Sequence, residues 1–244
     1  MPFLDSRDIS AGGTVDADVC IVGSGPAGLA IAFALADAGR RVLVLEAGEA
    51  RAPVAIGTDA LDSRGHPPGD VFPLHHEGFG GTLWYGRCVR LDPIDFETRP
   101  WMPGSGWPIC RSEVERHYAA AARFLGVPRP ESLQRPFWAA EPAARLLQGG
   151  GLDLSVHVFA PDADLGRCYR HAVGRTSRLR VAVRAPVTSV QVDEAGQAVS
   201  GLRVARHGGG ELQARAAHYV LACGGLENTR LLLMAARARP GLFG

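Results

Sequence analysis

The chain has 244 residues, 26 basic against 25 acidic for a formal net charge of +1, with 46% hydrophobic and 21% charged residues. That length supports one large domain, or one and a half, and the balanced, intermixed charge leaves no electrostatic footprint for nucleic acid or an anionic membrane. Every basic residue is arginine, which excludes lysine chemistry such as a Schiff base or a P-loop.

The 31 glycines and 17 prolines are scattered between apolar runs, as in a loop-rich folded protein rather than a disordered one. Cys20, Cys88, Cys110, Cys168 and Cys223 are odd in number and contain no C-x-x-C pair, which reads as reduced thiols rather than a disulfide framework or a zinc site. The start, MPFLDSRDISAGG, lacks a leader pattern, and no apolar segment reaches about 18 residues. The expectation is a cytoplasmic protein with no membrane span.

The first chemistry-bearing stretch is DADVCIVGSGPAGLAIAFALADAGRRVLVLEAGEA. A short apolar strand, Val19 to Val22, runs into Gly23, Ser24, Gly25 and Gly28. A helix follows, with Gly39 as its C-terminal cap, and a second strand, Val42 to Leu45, ends in Glu46. This is a βαβ start carrying the G-x-G-x-x-G fingerprint in its meaningful context. Gly23 permits the tight turn, Gly25 leaves room for a pyrophosphate, and Gly28 allows close helix–strand approach, while the helix N-terminus offers free N–H groups. Glu46 can accept hydrogen bonds from ribose hydroxyls and would repel a 2′-phosphate, which disfavours NADP. The fingerprint alone does not choose between NAD and FAD.

An NAD domain would continue as alternating helices and strands. Here the chain enters a long stretch rich in Gly, Pro, His and Trp with little periodicity. The next clear helix lies in RPWMPGSGWPICRSEVERHYAAAARFLGV, where Ser112 and Glu115 are spaced as a capping box and Gly126 follows the end. Farther on, LRVAVRAPVTSVQVDEAGQAVSGLRVARHGGGELQARAAHYVLACGG predicts a strand, then a meander or hairpin, then a strand from Tyr219 to Cys223. The helix after it spans Leu226 to Ala238. This is the layout of an FAD-binding domain. Cys20 and Cys223 are expected to act as small apolar residues. Neither the His75–His76 pair nor His117, His157, His171, His207 or His218 shows metal-ligand spacing, and no metal site is expected.

With GFGGTLWYGRCVRLDPIDFE, GSGWPI and ACGGLENTRLLL following the fingerprint in that order, the chain resembles the glucose-methanol-choline (GMC) oxidoreductases from about Asp16 to Met234. The resemblance implies an α/β fold: a Rossmann-like FAD-binding domain with a parallel sheet plus an antiparallel meander, and an incomplete substrate-domain excursion at about residues 51–180. It implies FAD extended across the sheet. Gly80, Gly81 and Thr82 match the loop passing the pyrophosphate and flavin edge, with Trp84 and Gly86 close behind. Val187 matches a position whose backbone meets the adenine, and Gly224 and Gly225 match the return junction.

Some members attach FAD through a histidine near this loop. Leu83 beside the tryptophan implies noncovalent FAD instead. Relatives also carry a longer stretch between the Gly-Gly and the Trp, and a glycine where Tyr85 stands. The family's C-terminal histidine and its Asn or His partner, which take the alcohol proton as hydride passes to the flavin, come from a part that would follow Gly244, so the expectation assigns no catalytic residue here. The implied function is the FAD-binding portion of an oxidoreductase acting on CH–OH groups of alcohols or sugars, with an unspecified electron acceptor. The alternative is a truncated or degenerate nucleotide-binding remnant.

Overall fold

A computed structural model describes residues 2–50, 78–81, 84–142 and 156–241. Thr82, Leu83, His75 and His76 lie outside the described residues. In chain order the elements are β1 (Phe3–Asp5), β2 (Thr14–Asp16), β3 (Val19–Val22), α1 (Pro26–Asp37), β4 (Val42–Leu45), β5 (Arg87–Cys88), α2 (Arg111–Glu115), α3 (Tyr118–Phe124), α4 (Arg135–Trp138) and β6 (Val158–Phe159). They continue with α5 (Leu165–Arg175), β7 (Leu179–Val183), β8 (Val187–Val192), β9 (Val199–Ala205), β10 (Glu211–Arg215), β11 (His218–Leu221) and α6 (Gly225–Ala238). They fall into two compact units, residues 84–163 forming one and the chain on either side forming the other.

The unit formed by the chain ends is an α/β structure with two sheets. Five parallel strands lie in the order β1-β7-β4-β3-β11, and β2-β10-β9-β8 form a second, mainly antiparallel sheet. The runs VCIV and VLVL are buried at every residue, as parallel strands covered on both faces require. Side chains alternate along each strand. Cys20, Val22, Leu43, Leu45 and Ala182 pack against Leu202, Val204, Leu212 and Ala214 of the meander and Leu231 of α6. The opposite face receives α1, which packs on β3, β4 and β7 through an alanine- and glycine-rich surface that allows close approach. Gly39, with φ +82°, caps α1 as the sequence predicts.

In the other unit, β5 and β6 pair antiparallel, and Cys88, Ala122, Val127 and Leu133 form a small core with Trp84 packed against it. Its helix differs from the expectation. The backbone is extended at Cys110, so helical geometry starts at Arg111, and the Cys110 N–H donates to Glu113 Oε2 at 2.7 Å. Glu115 instead binds Arg90 and Arg111. The helix also breaks around Arg116 and His117 into α2 and α3, and Gly126 (φ +73°) follows its end.

Candidate cofactor-binding site

Parallel pairing of β3 with β11, with Val22 level with Leu221, brings both glycine-rich junctions off the sheet side by side. Gly23 has φ +97°, and a Cβ there would lie 2.6 Å from the Ala222 carbonyl oxygen and 2.7 Å from the Cys223 Cα. A Cβ on Gly28 would lie 2.0 Å from the Gly23 carbonyl oxygen. These two glycines are needed by the protein's own backbone. Gly25, Gly224 and Gly225 differ: a Cβ on any of them would meet nothing within 4 Å.

Gly25 caps α1 and Gly224 caps α6, and neither cap uses a side chain. Two helix N-termini, each with uncapped N–H groups and partial positive charge, thus start beside open space at the C-terminal edge of a parallel sheet, where such sheets hold phosphate-bearing ligands. The second junction is pinned by Asn228, whose Oδ1 accepts the Cys223 N–H at 3.1 Å and whose Nδ2 donates to the Leu221 carbonyl at 3.3 Å. The predicted strand to Cys223 ends at Leu221 for this reason, because Cys223 is turned toward the helix start.

Glu46 lies at the same sheet edge and is 8% exposed. Its Oε2 accepts the Ser24 hydroxyl at 2.5 Å and the Ser24 N–H at 3.2 Å, and its Oε1 accepts the Gly48 N–H at 2.7 Å. The fully buried Ser24 hydroxyl also accepts the Gly80 N–H at 3.0 Å. Gly80 (φ +94°) packs against the start of α5: a Cβ there would lie 1.9 Å from the Gly166 nitrogen. Phe79 donates its N–H to the Glu49 carbonyl and sets its ring edge-on to Phe3, and Gly81 has φ +58°. The structure therefore gathers Gly23, Ser24, Gly25, Gly28, Glu46, Gly80, Gly224 and Gly225 at the C-terminal edge of the parallel sheet, with Gly81 following Gly80 in the loop. Thr82 lies outside the described residues.

Trp84 and Gly86 belong to the second unit, where the Trp84 indole N–H donates to the Ala163 carbonyl at 2.8 Å and Gly86 approaches Ala160. Tyr85 between them adopts φ +55°, a left-handed conformation that suits glycine. Val187 opens β8, and its side chain is buried between the two sheets.

The sequence reading missed Gly166, Asn228 and the ion-pair group in which Arg184 (φ +51°) binds Asp5 at 2.5 Å and Glu49 at 2.7 Å. Only Asn228, inside the quoted GGLENTR motif, carried a local signal. Burial pushes the Cys20 thiol up to about 12 and the Cys223 thiol up to about 11, so neither serves as a thiolate. Among the described residues no group of His, Cys, Asp and Glu is placed to hold a metal, and no helix is long and apolar enough to cross a membrane.

The glycine cradle and its two helix N-termini define a dinucleotide-binding protein. The sequence profile of the FAD dependent oxidoreductases matches residues 18–241, and the chain belongs to that family. Its cofactor is FAD, and the match is to the FAD dependent oxidoreductases, not specifically to the GMC group that the motifs resemble. The chain is similar to 6′′′-hydroxyparomomycin C oxidase of Streptomyces lividus, 26% identical over 93% of this chain and 52% of the relative. It is also similar to cholesterol oxidase of Mycobacterium tuberculosis, 33% identical over 46% of this chain and 22% of that protein. The matched region thus spans about half, or less, of each curated relative. A solved Escherichia coli quinol fumarate reductase superposes with a TM-score of 0.45 at 22% identity, over 87% of this chain and 33% of that one.

Proposed function

We propose that this chain is the FAD-binding portion of a GMC-type oxidoreductase acting on CH–OH groups of alcohols or sugars, with FAD held noncovalently. The observation that carries the site is the contrast among its glycines: Gly23 and Gly28 are filled by backbone, whereas Gly25, Gly224 and Gly225 border open space. In this reading the amides at the starts of α1 and α6 receive the pyrophosphate, and Gly80 and Gly81 run along it toward the flavin. Glu46 accepts a ribose hydroxyl, and its charge disfavours a 2′-phosphate there. Bound FAD supplies the hydride acceptor.

The GMC assignment rests on the order of the motifs from Gly23 to GGLENTR. The names of two relatives, a hydroxyparomomycin oxidase and a cholesterol oxidase, are consistent with hydroxyl-bearing substrates. In this reading none of the described residues is assigned the acid-base step on the alcohol.

The test is the absorption spectrum of the chain purified after expression with flavin supplied, followed by heat release and identification of the nucleotide. Oxidised-flavin bands and release of intact FAD support noncovalent binding at this site. A folded, colourless protein that takes up no added FAD rejects it. Flavin that stays with the polypeptide after denaturation rejects the noncovalent part alone. For the substrate class, reduction of a dye acceptor by a panel of alcohols, sugars and amines, with the whole protein, is expected to respond to the hydroxyl compounds; turnover confined to amines would overturn it.

A further inference from the structure

We infer that Ser24 is a positioning residue that ties the acid of the adenosine side to the flavin-side loop, through a directed hydrogen-bond relay from the Gly80 N–H to Ser24 Oγ to Glu46 Oε2. This rests on the proposed cofactor site but adds to it a coupling between two of its ends.

The direction of the relay follows from donor and acceptor inventory. A backbone N–H can only donate, so the Ser24 oxygen accepts from Gly80 at 3.0 Å. The hydroxyl has a single proton, and the contact of 2.5 Å to Glu46 Oε2 takes it. That oxygen and its partner Oε1 accept from the Ser24 and Gly48 N–H groups as well. Three donors converge on one side chain that is 8% exposed, an arrangement that suits a carboxylate acceptor and leaves about one of its roughly four lone-pair positions for a ligand hydroxyl. Ser24 is itself fully buried, so water does not replace either partner.

Glu46 makes no hydrogen bond to residues 78–81; it reaches Gly80 through the Ser24 hydroxyl, whereas its bond to the Gly48 N–H lies beside the Glu49 carbonyl that holds Phe79. Chains of hydrogen bonds in a low-dielectric setting strengthen one another. A change at Glu46 is therefore felt as a change in how firmly Gly80 is held, and with it the backbone that leads toward the flavin. Alanine at position 24 would satisfy packing but cut both links. Threonine would keep the hydroxyl.

The test uses the FAD-loaded full chain, with two readouts: amide hydrogen exchange in residues 78–81, and the FAD dissociation constant from recovery of flavin fluorescence. Ser24→Ala is expected to speed exchange at Gly80 about tenfold or more and to weaken FAD by about tenfold, the scale of a lost hydrogen bond to a charged group. Glu46→Gln is expected to speed exchange at Gly80 as well, although it makes no hydrogen bond to Gly80. In the double variant the exchange rate should be no faster than in Ser24→Ala alone, and Ser24→Thr should restore both readouts. Ser24→Cys, close in size with a weak donor, replaces Ser24→Ala if that variant fails to fold.

If Glu46→Gln leaves exchange in 78–81 unchanged, or if the two substitutions multiply, the relay is wrong. If the wild-type chain is folded and retains no FAD while the exchange coupling persists, the cofactor-site reading fails and the inferred role toward FAD fails with it.

Discussion

Gly80 and Gly166 are packed backbone against backbone, so that a Cβ on Gly166 would lie 2.0 Å from the carbonyl oxygen of Phe79 and one on Gly80 1.9 Å from the Gly166 nitrogen. No side-chain rearrangement relieves either contact, because both obstacles are main chain. Gly166→Ala is expected to cost about 2 kcal/mol or more, by displacing residues 78–81 from the start of α5. Thermal unfolding measures the stability loss, and FAD retention should fall with it. A Gly166→Ala chain with unchanged stability and flavin content would contradict the packing.

The fingerprint glycines separate structural from ligand-facing roles. Gly28→Ala places a methyl 2.0 Å from the Gly23 carbonyl oxygen, whereas Gly25→Ala meets nothing within 4 Å. Gly28→Ala is therefore expected to destabilise the fold by about 3 kcal/mol or more. Gly25→Ala should leave the unfolding midpoint nearly unchanged and lower FAD affinity at least about tenfold, since its methyl occupies space proposed for the pyrophosphate. Flavin titration and calorimetry on both variants check the contrast.

Acid stability should reflect Asp5. The Arg7 guanidinium is the main cause that lowers its carboxyl to about 2, with smaller help from the Arg7 backbone N–H and from Arg184, against an opposing effect of burial. A folded-state value below the unfolded value of about 3.9 means that the stabilisation is complete above the latter and lost as pH falls through the former. The unfolding temperature should thus drop between about pH 4 and pH 2, and Asp5→Asn should be less stable at neutral pH and show a shallower drop across that window. Parallel curves for the two proteins would count against this ion-pair group.

Thiol accessibility gives an independent check on the core. Cys110 and Cys168 are exposed, Cys20 and Cys88 are buried, and Cys223 is partly buried. Burial raises the thiols of Cys20, Cys88 and Cys223, which keeps the reactive thiolate form scarce. A thiol reagent at mildly alkaline pH should modify Cys110 and Cys168 rapidly in the native protein and all five cysteines after denaturation. Fast native labelling of Cys20 would mean that β3 is not covered on both faces.

The strand–glycine–helix–strand start, the meander and the second junction were legible because each is a local pattern: VCIV and VLVL are fully buried strands, Gly39 sits at a helix end, and alternation marks β9 and β10. These signals depend on residues close together in the chain, as did the prediction of Gly23, Gly25 and Gly28. Three-residue β1 and β2 were not legible, since such short segments carry no periodicity and exist by pairing with β7 and β10 far along the chain.

The sequence by itself determined a dinucleotide-type βαβ unit and the expectation of FAD. Only the tertiary structure decided that Gly23 makes room for Ala222 and Cys223, that Gly80 needs Gly166, and that Ser24 stands between Glu46 and Gly80. It also placed Trp84 and Gly86 in the other unit and Val187 at the start of a strand. The physical reason is range: propensity and periodicity act over a few residues, whereas close backbone contact and buried hydrogen bonding are set by which distant segments the parallel sheet brings together.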